Sequence, residues 1–512
     1  MPPAPDHPRG PALRRRLGAH LERAGRWLAG PDAAPPEPVV GLVLSGGGAS
    51  ASFHVGALRY LYDVEGITPS VLTGTSAGSI LATLLAQADD HAGQRQVLHE
   101  VGLRYGKLRQ PSDLMVELDW FAELQKLVPA LQRVGQARAS HLEPQTITLP
   151  TLGLIRQRRR TGDPGSPGAH PVIRLPRWDP TPVRETLSVV WSVGRARPDF
   201  DALVRGGRHE QSMYRRGPIF DELLGPAMLD PARVARSRTE LRIATVSLES
   251  GELRYVTGHG ELVDRANRPV EGEEPVDLVD AVHASCAIPA VYPPVQLGRE
   301  HYVDGSTREN LPVEVAMNHL GVTRCYAVNS MPTGVPQDGS YAGKDILAIV
   351  LRAAAGIMSD EVQLDDVSRA QAAGAVLIVP EVDVVGVLEV DPGLLALADD
   401  YGYLRAAEAC QQATADEQRV TREVVGLRRR TWKHEAELLA GPAGDAPPGA
   451  DAELARLKLE LRDLVEQIPA GRRPAGADQW WQRWEQHLTD VPEEVGWLPD
   501  ASASPTPEPD RV

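Results

Sequence analysis

Two successive strand, glycine turn and helix units constrain the fold more than any other feature of the sequence. The apolar run VVGLVL (residues 39–44) leads into glycines and then into FHVGALRYLYDVEG (53–66), which has helical periodicity. The run SVLTG (70–74) repeats the pattern and is followed by the helical SAGSILATLLAQA (76–88). Strands that alternate with helices predict an α/β fold with a mainly parallel central sheet.

Later segments extend this pattern. LRIATVSLESGELRYVT (241–257) predicts a hairpin that turns at Ser250 and Gly251. TRCYAVNSMP (323–332) and AVLIVP (375–380) predict strands, the second followed by helical sequence through residue 440. Residues 95–136 predict further helices. Residues 138–216 have no period and many Arg, Pro and Gly residues, which predicts a long loop or a lid-like insertion.

Composition shifts divide the chain into a main domain with appendages at both ends. The proline-rich GPDAAPPEP and the GPAGDAPPGA near residue 445 mark the two changes. We therefore predict a basic amphipathic and proline-rich N-terminal appendage (1–38), a main domain (39–410) with an insertion at about 138–216, a helical extension (411–440) and an acidic C-terminal appendage (441–512). The appendages are expected to be helical or disordered.

Each appendage leaves alternatives open. Leucines between Leu13 and Leu28 line one face of a helix rich in arginine, which fits an anionic membrane surface, a solvated tail or a helix docked on the protein itself. Residues 454–468 carry heptad-like leucines over two heptads, which favours a helix packed on the core over a coiled coil. Trp480, Trp481 and Trp484 fit either a membrane-facing patch or a docking helix.

Charge and composition exclude some classes of function. The net charge of -15 argues against nucleic acid as the main partner, because phosphate binding requires clustered positive charge. Cys286, Cys325 and Cys410 lie far apart without metal-ligand spacing, so we expect neither disulfides nor a metal site. Without an apolar membrane span or signal sequence, the chain is predicted to be cytoplasmic, and peripheral attachment to a membrane stays open. The oligomeric state also stays open.

The stretch SGGGAS (45–50) places consecutive glycines at a strand-to-helix turn. Their unshielded N–H groups can bind an anion, either a dinucleotide pyrophosphate or the oxyanion of an acyl-transfer intermediate. Gly46, Gly48 and Ala51 fit the dinucleotide fingerprint, but Thr73 and Gly74 stand where its acidic residue is expected. The oxyanion interpretation is therefore favoured.

The stretch LTGTSAGSI (72–80) predicts a nucleophile elbow. Its spacing, Gly74, Ser76 and Gly78, lets a strand turn sharply into a helix while the serine is held in a strained backbone conformation. Larger residues at either glycine would collide with the neighbouring strand and helix. Ser76 is therefore a candidate nucleophile.

A serine needs a base, and the stretch YVDGSTREN (302–310) offers Asp304 at the end of a strand. The later histidines, His319, His434 and His487, stand in ordinary helical or tail contexts, so a triad is poorly supported. A carboxylate can act directly as the base of a Ser–Asp dyad if partial burial raises its pKa.

Four stretches together resemble the patatin-like phospholipase family: SGGGASASFHVGAL, GTSAGSILATLLA, ASCAIPAVYPPVQL and YVDGSTRENLPVEVA. The resemblance covers about residues 39–410 and implies a patatin-like three-layer sandwich as the catalytic domain. It implies Ser76 as nucleophile, Asp304 as general base and an oxyanion hole at Gly46, Gly47 and Gly48, with no cofactor. The triacylglycerol-lipase branch of the family looks nearest.

The resemblance implies a lipid acyl hydrolase, a phospholipase or acylglycerol lipase, that acts on lipid at a membrane or lipid-droplet surface. The chain departs from the family pattern at Ser50 and Ala51, where a basic residue and a glycine are usual, and at Ser306 after Asp304-Gly305. A non-catalytic or weakly active lipid-binding or scaffold protein with the same fold is therefore the alternative. The apolar 287–295 and the insertion are expected to wall an acyl groove.

Overall fold

The computed structural model describes residues 37–122, 144–147, 173–176, 210–335, 337, 339–342, 344, 349–350, 352–440 and 450–474. Almost all of the N-terminal appendage, much of the insertion and the tryptophans at 480, 481 and 484 lie outside these residues. The strands of the described part are β1 (Val40–Leu44), β2 (Val71–Thr75), β3 (Met115–Glu117), β4 (Pro144–Ile147), β5 (Ile173–Pro176), β6 (Tyr214–Arg216), β7 (Glu240–Ser247), β8 (Leu253–Thr257), β9 (Leu262–Val263), β10 (Val295–Leu297), β11 (Glu300–Asp304), β12 (Arg324–Val328) and β13 (Val376–Ile378).

The α-helices of the described part are α1 (Ser52–Asp63), α2 (Ala77–Leu85), α3 (His91–Tyr105), α4 (Pro111–Leu114), α5 (Pro218–Leu224), α6 (Pro231–Arg236), α7 (Leu278–Ser285), α8 (Val313–His319), α9 (Ser359–Ala372), α10 (Pro392–Cys410), α11 (Ala415–Ala440) and α12 (Ala450–Val465). A π-helical segment (Arg352–Met358) precedes α9, and 3-10 turns cover Gly48–Ala51, Gly305–Thr307 and Ala470–Arg472. Several of the helices begin after an aspartate that accepts a hydrogen bond from a backbone N–H of the first turn, a favourable N-cap. Asp90, Asp230, Asp277 and Asp391 do so before α3, α6, α7 and α10.

A nine-stranded sheet lies at the centre of the described part. Its main order is β10-β11-β7-β2-β1-β12-β13, while β8 pairs with β7 and carries β9. The strands β7, β2, β1, β12 and β13 run parallel, and the others pair antiparallel. The carboxyl ends of the parallel strands therefore meet at one edge, where open α/β sheets bind their ligands.

Alternate residues of the central strands point into two different helical layers. Leu42 and Leu44 are buried in a cluster with residues of α1, α2, α3 and α10. Val43, between them, is buried with residues of α8 and α9 on the other face. Parallel strands covered on both faces need apolar side chains at nearly every position, which explains the uninterrupted VVGLVL run. The predicted α/β fold with a mostly parallel central sheet and helices on both faces is confirmed.

The strand β7 has two different neighbours along one edge. Its Ala244 pairs with Thr75 at the end of β2, and its next residue, Thr245, pairs with Asp304 at the end of β11. Both residues also pair with β8, which therefore occupies the opposite edge. Thus β2 and β11 pair with successive parts of the same edge of β7. The chain leaves that edge at Ser76, directly after β2, and the carboxyl ends of β2 and β11 meet there.

The predicted hairpin of residues 241–257 is confirmed by the antiparallel pairing of β7 with β8, and the strands predicted in 323–332 and 375–380 are confirmed as β12 and β13. The prediction of helices over 95–136 is wrong at Met115–Glu117, which pairs with Tyr214–Arg216. Strands of three residues are too short to show alternation, so only their partners reveal them. The loop predicted over 138–216 also contains β6 and the paired strands β4 and β5.

The leucines of residues 454–468 pack on the rest of the molecule. Leu457, Leu461 and Ile468 are buried in a cluster with residues of α10 and α11, which confirms the packed-helix interpretation. A buried ion pair between Lys458 and Glu435 also joins α12 to α11, with 3.0 Å between Nζ and Oε1. The domain boundaries themselves stay predictions. No helix in the described part is long and apolar enough to cross a membrane.

Candidate active site

Ser76 lies at the turn between β2 and α2 in a backbone conformation that L-residues rarely adopt, with φ 52° and ψ -128°. Its N–H donates to Ser285 Oγ at 2.9 Å, and that hydroxyl donates to the carbonyl of Ala244 at 2.7 Å. The turn is therefore anchored to β7 through α7. A strained residue persists only where its surroundings determine its conformation, and such residues cluster at functional sites.

The two glycines around Ser76 allow the close packing that the sequence predicts. A Cβ at Gly74 would lie 2.5 Å from the carbonyl oxygen of Gly78. A Cβ at Gly78 would lie 2.4 Å from the carbonyl oxygen of Ser45. Both contacts are with backbone atoms, which cannot move aside cheaply. The helix α2 thus starts directly against the end of β1, and the turn at Ser76 has no room for larger residues at either glycine.

Asp304 ends β11 and is fully buried. Its Oδ1 accepts a hydrogen bond from the N–H of Ser306 at 2.9 Å, whereas its Oδ2 has no hydrogen-bond partner at ordinary distance among the described residues. Burial raises the pKa of Asp304 to about 6, while the Ser306 N–H and the nearby Ser76 hydroxyl act to lower that pKa. The structure therefore brings Ser76 together with a carboxyl group that has a free oxygen and increased basicity.

The glycine loop lies beside Ser76, but its three amides are not equivalent. The N–H of Gly46 donates to Asn310, to Oδ1 at 3.0 Å and to the carbonyl at 3.3 Å. In the described part of the chain, the N–H groups of Gly47 and Gly48 have no acceptor. Gly48 has φ 55°, and a Cβ there would lie 2.3 Å from the carbonyl of Val387. The N–H groups of Gly47 and Gly48 are thus available as donors, whereas the N–H of Gly46 is used to hold the loop in place.

Buried polar groups that the sequence did not single out hold this loop. The carbonyl of Gly46 accepts from the hydroxyls of Ser45 at 2.9 Å and Ser330 at 3.0 Å. His54 Nε2 lies 3.2 Å from the carbonyl of Val328 and 3.5 Å from Ser45 Oγ, and burial lowers the pKa of His54 to about 4. His54 is therefore a neutral structural group.

Ser50, where the resemblance implies a basic residue, also fixes the loop. Its Oγ donates to the carbonyl of Val385 at 2.9 Å, and the N–H of Ala49 donates to the carbonyl of Val387 at 2.8 Å. Ser50 is buried, so it contributes to loop shape and adds no charge. The donors that this loop offers in the described part of the chain are therefore backbone N–H groups.

A pocket with an apolar lining opens beside Ser76. Ile288 and Tyr292, from the segment predicted to wall an acyl groove, both contribute to it. The Tyr292 hydroxyl donates to the carbonyl of Leu114 at 3.0 Å, and the ring packs edge-on against Phe220 with 5.8 Å between centroids. The full lining is Gly48, Ala49, Ser76, Ala77, Ile80, Tyr105, Leu108, Leu114, Ile219, Phe220, Leu223, Cys286, Ile288, Tyr292 and Leu388.

Cys286 lies next to the candidate dyad. The thiol is buried, and this burial raises its pKa to about 12, with the Asp304 charge acting in the same direction. It is therefore a neutral, apolar wall of the cavity. The described part of the chain contains no group of three or more His, Cys, Asp or Glu side chains that could hold a metal ion.

A strained serine at a strand-to-helix turn, a buried carboxyl beside it and an adjoining apolar cavity define the class of serine esterases and lipases. The model of the patatin-like phospholipase family matches residues 42–317, more than half of the sequence. The chain belongs to the patatin-like phospholipase family. Membership supports an acyl hydrolase activity on lipids.

One curated relative and two solved structures are also similar to the chain, each in a more limited way. The patatin-like phospholipase domain-containing protein ZK370.4 of Caenorhabditis elegans is 49% identical over 51 residues, which are 10% of this chain and 4% of that protein. The chain therefore spans only a small part of that curated relative. VipD from Legionella pneumophila has 12% identity and a TM-score of 0.25, with 86% of this chain and 89% of that chain covered. The type III effector ExoU has 16% identity and a TM-score of 0.20, with coverages of 84% and 70%.

Proposed function

We propose that the chain hydrolyses carboxylic esters of lipids through a Ser76–Asp304 dyad and an acyl-serine intermediate, a reaction of class EC 3.1.1. The observation that carries the proposal is the pairing of Thr75 and Asp304 with consecutive residues of β7. This register sets the free oxygen of a buried carboxyl beside a serine in a strained turn. The adjoining pocket presents an apolar lining suited to contact with an acyl chain.

In the acylation step, Asp304 Oδ2 accepts the proton of Ser76 Oγ as that oxygen attacks the ester carbonyl. The negative charge that develops on the carbonyl oxygen is stabilised by the N–H groups of Gly47 and Gly48. Collapse of the tetrahedral intermediate breaks the bond to the leaving alcohol, which takes the proton from Asp304. The acyl group is then bound to Ser76, and Asp304 is again a carboxylate.

In the deacylation step, Asp304 accepts a proton from a water molecule that attacks the acyl-serine. The second tetrahedral intermediate uses the same two amides and collapses to release the fatty acid. Ser76 recovers its proton from Asp304, so every proton is accounted for without a cofactor. A base with a pKa of about 6 suits this exchange near neutral pH, because it is ionised yet basic enough to accept a proton.

The apolar lining of the pocket supports a lipid ester as the substrate class. That lining includes Leu108, Leu114 and Leu223, whose side chains are suited to contact with an acyl chain. Phospholipids and acylglycerols both present such chains at a lipid surface. We therefore include peripheral attachment to a membrane or lipid-droplet surface in the proposal.

A fluorophosphonate probe tests for the activated serine. We expect stoichiometric labelling of the wild-type chain and none of Ser76→Ala. Asp304→Asn is expected to label at least 100-fold more slowly, because general-base catalysis contributes about 10²–10⁴-fold. The exposed Ser368→Ala on α9 is the matched control and should label like the wild type.

Hydrolysis of a panel of phospholipids and acylglycerols then identifies the ester. Activity that disappears in both dyad variants supports the proposal. Folded wild-type chain that neither labels nor hydrolyses any lipid, with and without vesicles, would exclude the dyad. In that case lipid binding retained by Ser76→Ala would favour the scaffold alternative.

A further inference from the structure

Asn310 connects the part of the chain that carries Asp304 to the glycine loop. It lies six residues after Asp304 in the sequence and is 3% exposed. Both its side-chain Oδ1 and its carbonyl accept the N–H of Gly46. The same segment is tied to β2, because Thr75 Oγ1 donates to the carbonyl of Glu309 at 3.1 Å. The segment thus contacts both the nucleophile's strand and the oxyanion loop.

Asp366 on α9 holds this segment from the other side. Its Oδ2 accepts the N–H of Asn310 at 2.6 Å and the N–H of Leu311 at 3.0 Å. The side chain is 2% exposed, and the Arg369 guanidinium lies 3.6 Å from its Oδ1. A buried carboxylate that accepts two backbone N–H bonds fixes the direction of both peptides strongly. Asp366 also lies outside residues 42–317, which the family model matches.

We propose that Asp366 is a positioning residue that sets the oxyanion loop through Asn310. Asp366 orients the Asn310 peptide, Asn310 engages the Gly46 N–H, and the loop then keeps Gly47 and Gly48 with their N–H groups open beside Ser76. The inference rests on the proposed function for its kinetic consequence. Because the oxyanion loop would stabilise charge that develops only in the transition state, loss of Asp366 should lower kcat and leave KM unchanged.

The kinetic test compares three variants of the full chain. Asp366→Leu removes both acceptor oxygens, and we expect kcat to fall about 10–100-fold with KM within about twofold, since a misplacement of about 1 Å costs up to about 10². Asp366→Asn keeps one acceptor oxygen and is expected to recover most of kcat. Glu435→Leu removes another buried carboxylate, on α11 and paired with Lys458, and should lower stability without changing kcat.

A double-mutant cycle tests whether Asp366 acts through Asn310. Asn310→Ala should reproduce the kcat loss, and Asp366→Leu added to it should cost little more, because residues in one hydrogen-bonded chain are not additive. Full additivity would overturn the inference. So would unchanged kcat in Asp366→Leu, or equal losses in Asp366→Asn and Asp366→Leu. If Asp366→Leu does not fold, Asp366→Ser replaces it, since one short hydroxyl cannot reach both amides.

Hydrogen exchange of the Ser45–Ser50 peptide gives a readout that does not need activity. We expect faster exchange in Asp366→Leu than in the wild type and no change in Glu435→Leu. If the wild type fails to label with fluorophosphonate, the proposed function fails, and the exchange data still decide whether Asp366 positions the loop. If the wild type is active but exchange in the loop is unchanged in Asp366→Leu, only the positioning role fails.

Discussion

Ser76 occupies a left-handed backbone conformation that costs a residue with a Cβ about 1–3 kcal/mol. The neighbouring glycines, Gly74 and Gly78, leave the turn no room to relax because they abut backbone atoms. The chain therefore gives up stability at this residue to hold the hydroxyl in place beside Asp304.

Replacement of Ser76 by glycine should relieve that strain. We expect Ser76→Gly to be more stable than Ser76→Ala by about 1 kcal/mol, because both lack the hydroxyl and only alanine keeps the Cβ at positive φ. Urea unfolding of the two variants measures the difference, and both should be unlabelled by fluorophosphonate. Equal stabilities would mean that the turn carries no strain.

Asp304 also costs stability when it is ionised. Burial raises its pKa in the folded chain to about 6, above its ordinary value of 3.8, so the folded state binds the proton more tightly than the unfolded state. The tighter proton binding stabilises the folded state below about pH 4, and this stabilisation is lost as the pH rises through about 6. Asp304→Asn should therefore be more stable than the wild type by up to about 3 kcal/mol at pH 8. Urea unfolding at pH 4 and pH 8 tests this, since the difference should shrink at the lower pH.

The same pKa predicts the pH dependence of the reaction. The proposed base must be a carboxylate, so kcat/KM should rise with pH through about 6 and level off above 7. Burial also raises the pKa of Asp366 to about 6. The pH profile of kcat/KM should therefore also be measured in Asp366→Asn. The inflection near 6 should persist there, and its disappearance would assign it to Asp366.

At the scale of helices and strands, the local sequence predicted which segments form strands and helices better than it predicted which strands pair with each other. The apolar runs of β1 and β2 and the glycine turns after them indicated the parallel units directly. The position of Asp304 beside Ser76 depends on the register of β11 on β7, which joins residues far apart in the chain. Asn310 and His54 stand within stretches that resemble the family, but their structural roles depend on contacts with distant segments and could not be assigned from those stretches.

The contact between α1 and α10 is another feature that the sequence did not reveal. The helix α1 comes directly after the glycine loop, and it crosses α10 with backbones nearly touching. A Cβ at Gly402 would lie 2.0 Å from the carbonyl of Phe53, and one at Gly56 would lie 1.7 Å from the carbonyl of Asp399. These glycines let the helix after the oxyanion loop rest directly on α10.

A methyl group at this crossing should separate the helices. We expect Gly402→Ala to lower the free energy of unfolding by about 1–3 kcal/mol, the usual cost of overpacking. Gly426→Ala on α11 is the matched control, because no atom lies within 4 Å of its Cβ position. That variant should gain up to about 1 kcal/mol from helix propensity. Thermal unfolding of both tests the crossing, and a stabilised Gly402→Ala would contradict it.

At the scale of the whole molecule, the part matched by the family model is not a complete structural unit. The match ends at residue 317, before β12, which pairs with β1 in the middle of the sheet. The helices α9 and α10, also beyond the match, cover one face each of the sheet. Residues after 317 therefore belong to the same core as Ser76.

Two truncations distinguish this core from its periphery. A chain ending at residue 317 lacks the β12 partner of β1, so it should show no cooperative unfolding and no labelling of Ser76. A chain ending at residue 440 keeps the central sheet and lacks α12. It exposes Val424 and Leu427 and leaves the buried Glu435 without Lys458, so its Tm should fall while Ser76 still reacts with fluorophosphonate. Labelling of the shorter chain, or loss of labelling in the longer one although it remains folded, would place the boundary of the catalytic core elsewhere.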